Sequence, residues 1–277
     1  MGSHDTHIQR AAALAQKLFF QFGEMNFVFQ PTVIEEKDGE LLIHVHLPPE
    51  GKYTKFKPDV VMTEQQKSMV VSHLACSSAA IYFRDLLTKF LKGTNTSVGV
   101  TTLSLTPTGT ITQYADPKMN DLHGRCHNHT LFKIFEENEP DEPDNPDRPA
   151  MWFIDLSGPQ FSIFNPCLKP DIYRTTYKAS KPVDSTSDLK AGAQKLVPAL
   201  EFGMTKRIVE DIENAIEEWE RTKEVGIAEL LANGKYELFE TDLLGFVEEK
   251  MKELREEVDW TARFKERDRL KAEGRGS

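Results

Sequence analysis

Strand-like and helix-like patterns are segregated along this chain, and that segregation limits its fold more than any other feature. Val98 to Leu105, Gly109 to Tyr114, His129 to Phe135 and Met151 to Leu156 are short runs rich in Val, Thr, Ile and Phe. Runs of that length and content read as strands. Helical spacing governs both ends of the chain. Thr6 to Gly23 sets Ile8, Ala12, Ala15, Leu18, Phe19 and Phe22 on one stripe, with Gly23 as a stop. Met204 to Arg221 does the same with Ile208, Ile212, Ala215, Ile216 and Trp219, and Thr241 to about Ala272 with Val247, Met251, Leu254 and Val258. Strands grouped between helices predict an α+β fold, an antiparallel sheet packed against helices with a helical C-terminal extension. Residues 1–186 are expected to form the α+β core and 187–277 a helical region packing on it.

Turn chemistry refines the order. Thr32 to Glu36 and Glu40 to Leu47 alternate around Lys37-Asp38-Gly39, a hairpin with an Asp-Gly turn. A second hairpin is expected around Pro107-Thr108-Gly109, and Ile172 to Ala179 reads as one more strand. From Thr63 to Gly93 the pattern is helical, with Val70, Val71, Leu74, Ile81, Leu86, Leu87, Phe90 and Leu91 apolar. Glu136 to Asp147 carries seven acidic residues and three prolines and no EF-hand spacing, which makes a solvated loop rather than a calcium site.

Composition excludes several classes of function. A net charge of -10 with a pI near 5.4 is no footprint for nucleic acid, which needs clustered Lys and Arg. No apolar stretch approaches the roughly 20 residues a membrane helix requires, and no signal-peptide cleavage pattern follows Ala11 to Phe22. Three cysteines make no disulfide framework, so a reducing, cytosolic setting is expected.

Chemistry is concentrated in three segments: Ala75-Cys76-Ser77-Ser78, Cys126-His127-Asn128-His129-Thr130, and Trp152-Phe153-Ile154-Asp155-Leu156-Ser157-Gly158-Pro159-Gln160-Phe161. A thiol nucleophile needs a base for its proton and a carboxylate to orient that base, and Cys76, His129 and Asp155 supply all three. A cysteine inside an apolar helix also serves as a small buried hydrophobe. Catalysis therefore requires a break near Ser72 to Ala75, so that Cys76 opens a second helix whose N-terminal amides lower the thiol pKa and bind an oxyanion. His127 rivals His129 as base, because alternation puts both on one strand face. Asp155 has an alternative as a turn-forming aspartate at a strand end.

Metal binding is the competing chemistry. His123, Cys126, His127 and His129 fall within seven residues, but no second Cys or His pair follows and Cys167 stands alone. His44 and His46 share a strand face without a third ligand. No metal or other cofactor is expected.

Cysteine on a helix, histidine opening a strand 53 residues later and aspartate on a further strand 26 residues beyond resemble the transglutaminase-like and papain-like cysteine superfamily. The likeness spans Thr63 to Phe161, including an Asp-aliphatic-small-x-x-Gln-aromatic pattern from Asp155 to Phe161. It implies a transglutaminase/papain-like core and acyl transfer on an amide or peptide through a thioester at Cys76. His129 would be the base and Asp155 its orienter. The Cys76 N–H and Gln160 would donate to the oxyanion, and Ser77 and Trp152 would line the substrate site. The implied partner is an amide-containing small molecule or peptide, with no nucleic acid and no membrane. The alternative is a non-catalytic interaction module on the same fold, its charged C-terminal helices contacting a protein partner or a second copy.

Overall fold

The computed structural model describes residues 3–26, 30–46, 60–106, 109–116, 127–137, 149–180, 182–183, 204–233, 236–257 and 269. Helix α1 (Ser3–Asn26) is the organising element of the helical layer. Its buried stripe of Ile8, Ala11, Ala12, Leu14, Ala15, Leu18, Phe19 and Phe22 packs against α4 (Arg84–Phe90), α6 (Met204–Lys223), α7 (Ile227–Ala232) and α8 (Tyr236–Glu257). One hydrophobic cluster joins that stripe to Ile208, Ile212 and Trp219 of α6 and to Leu243, Val247 and Met251 of α8. The C-terminal helices thus spend their apolar faces on α1 and on each other. The predicted stretch from Val258 to Ala272 lies outside the described residues, apart from Arg269.

The main sheet has five strands in the order β7-β6-β5-β3-β8: β3 (Thr96–Leu105), β5 (His127–Glu136), β6 (Trp152–Ile154), β7 (Cys167–Leu168) and β8 (Pro182–Val183). All pairings within it are antiparallel. Alternation along its strands sorts the side chains. Phe132 and Ile134 of β5, with Trp152 and Ile154 of β6, face the helices. Leu131 and Phe153 face the other way, into a smaller cluster with Leu103, Phe161, Ile163 and Tyr173. The mixed helix-and-sheet architecture is therefore α+β.

A second sheet carries the order β1-β2-β4. Strands β1 (Gln30–Lys37) and β2 (Glu40–His46) form the expected hairpin, and Asp38 (φ 53°) with Gly39 (φ 80°) gives the two positive φ values of a type I′ turn. Here the second predicted hairpin fails. Strand β4 (Ile111–Tyr114) instead pairs in parallel with β2, where Tyr114 seals a cluster with Leu41, Ile43 and Val70, while β3 pairs along its whole length with β5. The predicted strand at Ile172 to Ala179 is also overturned. Pro170 at the first helical turn starts helix α5 (Pro170–Thr176), and one helical position, Tyr173, supplies its buried anchor.

Residues 64–90 divide into three helices: α2 (Glu64–Val71), α3 (Cys76–Tyr82) and α4. A capping box between Thr63 and Gln66 starts α2, and Ser72 ends it by turning its hydroxyl back onto the Ser68 carbonyl at 2.7 Å. Leu74 then takes φ 55°, a left-handed conformation that a leucine adopts only at a cost of roughly 1–2 kcal/mol. The required break is present, and α3 opens on Cys76.

Candidate active site

The end of β6 creates the site. Its pairing with β5 runs only over Phe132 to Ile134, so the edge of β5 before Phe132 has no β6 partner. Backbone N–H groups of alternate residues point to the same edge, which leaves that of Thr130 free to meet another group. Helix α3 packs against β5 there, which brings the Thr130 N–H to act on the Cys76 thiol and favour its charged form.

His129, one residue earlier on β5, is fully buried. Its Nε2 lies 2.8 Å from Oδ1 and 2.9 Å from Oδ2 of Asp155, the first residue past β6. The Phe161 ring stands perpendicular to the imidazole, with centroids 4.9 Å apart at 84°. The other ring nitrogen, Nδ1, is buried without a hydrogen bond of standard geometry among the described residues. The Cys76 thiol interacts with this same imidazole. Contacts of this kind commonly tighten only when substrate binds.

Electrostatics follow from this grouping. Burial pushes the imidazole toward its neutral form, but the Asp155 charge and hydrogen bond, joined by the thiol, prevail and raise its pKa to about 10. Burial likewise pushes the Cys76 thiol up. The neighbouring imidazole, with the Thr130 N–H, outweighs it and leaves the thiol below its ordinary value. The two shifts favour a thiolate beside an imidazolium. At Cys167 burial outweighs the charge of Lys169 and drives the thiol pKa up to about 12.

Asp155 is held on every side. Its N–H donates to the Pro166 carbonyl at 2.8 Å, its own carbonyl accepts from Gln16 Nε2 at 3.2 Å, and the Tyr173 hydroxyl donates to Oδ2 at 2.8 Å. Gly158 lies so close that a Cβ there would sit 2.7 Å from Oδ2. This is a carboxylate with a built socket, beyond what a turn-forming aspartate needs.

Cys76, His129 and Asp155 are therefore brought together, and each of the predicted accessory residues has its own setting. Gln160 is buried with its carboxamide committed: Oε1 accepts from the Leu74 N–H at 3.1 Å and Nε2 donates to the Ser157 carbonyl at 3.1 Å. It ties the turn before Cys76 to the loop after Asp155. Trp152 faces the helical layer, its ring covered by the Lys169 ammonium at 3.6 Å, and Ser77 is exposed on the first turn of α3. His123 and Cys126 lie outside the described residues, as does the His127 side chain. No group of three metal-ligating side chains occurs among the described residues. His44 meets a carboxylate, Glu35, at 3.8 Å, an exposed pairing. Nor is any helix among the described residues long and apolar enough to cross a membrane.

Sequence reasoning missed Tyr173 and Gly158. Tyr173 sat inside a segment read as a strand, and Gly158 carried no signal beyond its neighbour Pro159. Comparison of the chain with protein-family models, curated proteins and solved structures finds no match.

Proposed function

We propose that this protein is a thiol-dependent acyltransferase or amidase of the transglutaminase-like and papain-like kind, acting on an amide-containing small molecule or peptide. The observation that carries the reading is the buried His129–Asp155 pair in contact with a thiol whose pKa is lowered. Supporting it is the placement of the three residues at a helix start, on a strand, and at the end of the neighbouring antiparallel strand.

In the reaction His129 takes the Cys76 proton, and the sulfur attacks the amide carbonyl carbon to form a C–S bond. Negative charge collects on the carbonyl oxygen, where the first-turn amides of α3, which have no intrahelical acceptor, donate to it. The C–N bond then breaks, and the leaving amine takes the proton from the imidazolium. The thioester at Cys76 is cleaved by water or by a second amine, which gives its proton to His129 as the C–S bond breaks. Asp155 holds the imidazole orientation throughout.

The test is acylation with p-nitrophenyl acetate followed by peptide mass spectrometry. The reading expects an acetyl group on Cys76 that is lost on adding hydroxylamine and fails to form in His129→Ala. Acetylation spread equally over the three cysteines, or unaffected by His129→Ala, would overturn it and favour a non-catalytic interaction module.

A further inference from the structure

We propose that Tyr173 is a positioning residue of this site: its hydroxyl, donated to Asp155 Oδ2, fixes the carboxylate against His129 and weakens the carboxylate's hold on the imidazole proton. This rests on the Cys-His-Asp reading above and adds a fourth member to it.

The carboxylate presents both oxygens to Nε2 at nearly equal distances, 2.8 and 2.9 Å, yet the imidazole has one N–H to give there. Oδ2 accepts a further hydrogen bond from the Tyr173 hydroxyl at 2.8 Å. Both donors stabilise the charge of the same carboxylate, so each leaves less of it to the other and weakens the other's bond. Tyr173 suits this task because it is 1% exposed and cannot turn away. Its ring is clamped edge-on by Phe153 at 5.6 Å and by Tyr177 at 5.2 Å. Burial first, and then the Asp155 charge, hold its pKa well above the usual phenol range, so the hydroxyl remains a neutral donor.

Among the described residues, four titratable groups act around the carboxylate. His129 faces it from β5, Cys76 acts from α3, Tyr173 from α5 and Tyr177 from the cap that ends α5. Of the two tyrosines, the hydrogen bond to the carboxylate is that of Tyr173. Mechanistically, an imidazolium held too tightly is a poor acid toward the leaving amine, and the phenol relaxes that hold.

The experiment follows the His129 Nε2 proton by NMR in protein labelled with nitrogen-15 histidine. Tyr173→Phe, which keeps the ring and removes the donor, is expected to move this resonance downfield as the His129–Asp155 bond strengthens. A difluorotyrosine at position 173, a stronger donor of the same shape, is expected to move it upfield. Tyr177→Phe should leave it in place. An unmoved resonance in both position-173 variants, or an upfield shift in Tyr173→Phe, would overturn the proposal. The difluorotyrosine protein retains the native packing and decides the matter should Tyr173→Phe unfold. Iodoacetamide reactivity of wild-type Cys76, measured on the same samples, tests the catalytic reading separately, so a failure of one is distinguishable from a failure of the other.

Discussion

Replacing Gly158 with alanine puts one methyl group where the site has no room for it. An added Cβ would lie 2.7 Å from Asp155 Oδ2, 2.7 Å from the Ile163 carbonyl oxygen and 2.9 Å from Asp155 Cγ. None of these atoms ends a flexible side chain. The Ile163 carbonyl is backbone, in a turn closed by the Ile163 N–H on the Gly158 carbonyl at 3.0 Å, and the Asp155 backbone is anchored to Pro166. The side chain must therefore yield, and as the carboxylate turns, the clashing Oδ2 leaves both of its partners, His129 and Tyr173. Overpacking of this kind costs about 1–3 kcal/mol, and a weakened hydrogen bond to a charged group adds about 1.5–3 kcal/mol, so a loss near 4 kcal/mol is expected. Urea unfolding measures it, and iodoacetamide reactivity of Cys76 at pH 6 should drop in the same variant because the imidazolium loses its partner. A Gly158→Ala protein with wild-type stability and wild-type thiol reactivity would refute the argument that the carboxylate is socketed against this glycine.

Gln160→Ala should destabilise the fold by about 1–3 kcal/mol, because it strips the Leu74 N–H of its partner and leaves the Ser157 carbonyl with the backbone N–H of residue 160 alone, and urea unfolding reads this directly; an oxyanion donor would instead lose turnover at unchanged stability. Leu74→Gly should raise stability by up to about 1 kcal/mol, as relief of the left-handed leucine exceeds the entropy glycine adds to the unfolded chain. In Cys76→Ala, where no thiol titrates at the site, the raised His129 pKa makes folding bind a proton. That stabilisation is full below the unfolded value of about 6.5 and is lost as pH rises through the folded value, which is about 10 with the thiol in place. Thermal melting across that window should therefore show a decline that His129→Ala removes from the Cys76→Ala background.

Much of the site was legible because its chemistry is local. The apolar run after His129 marked β5, the shorter run before Asp155 marked β6, and the reactive residues stand at the boundaries of those runs. The break before Cys76 was legible only as a requirement, since Ser72 and Leu74 carry no Gly or Pro signal and the turn is secured at long range by Gln160. Partners decided by tertiary packing were not legible. Ile111 to Tyr114 has the residues of a hairpin strand, yet the free edge of β2 and the pocket around Leu41 and Ile43 decide where it pairs. Tyr173 reads as a strand residue beside Ile172, but Pro170 starts a helix and turns the phenol onto Asp155.

The central claim is that His129 and Asp155 activate Cys76, and the pH dependence of Cys76 alkylation tests it most directly. Wild-type protein and His129→Ala are treated with iodoacetamide between pH 5 and 9, and the modified peptides are quantified. A free thiol of pKa about 8.5 is under about 1% thiolate at pH 6, so an activated Cys76 should react there about tenfold faster or more. His129→Ala should erase the difference, and Cys167 should stay unmodified in the folded protein. A Cys76 that titrates like a free thiol, or one equally reactive without His129, would contradict the account.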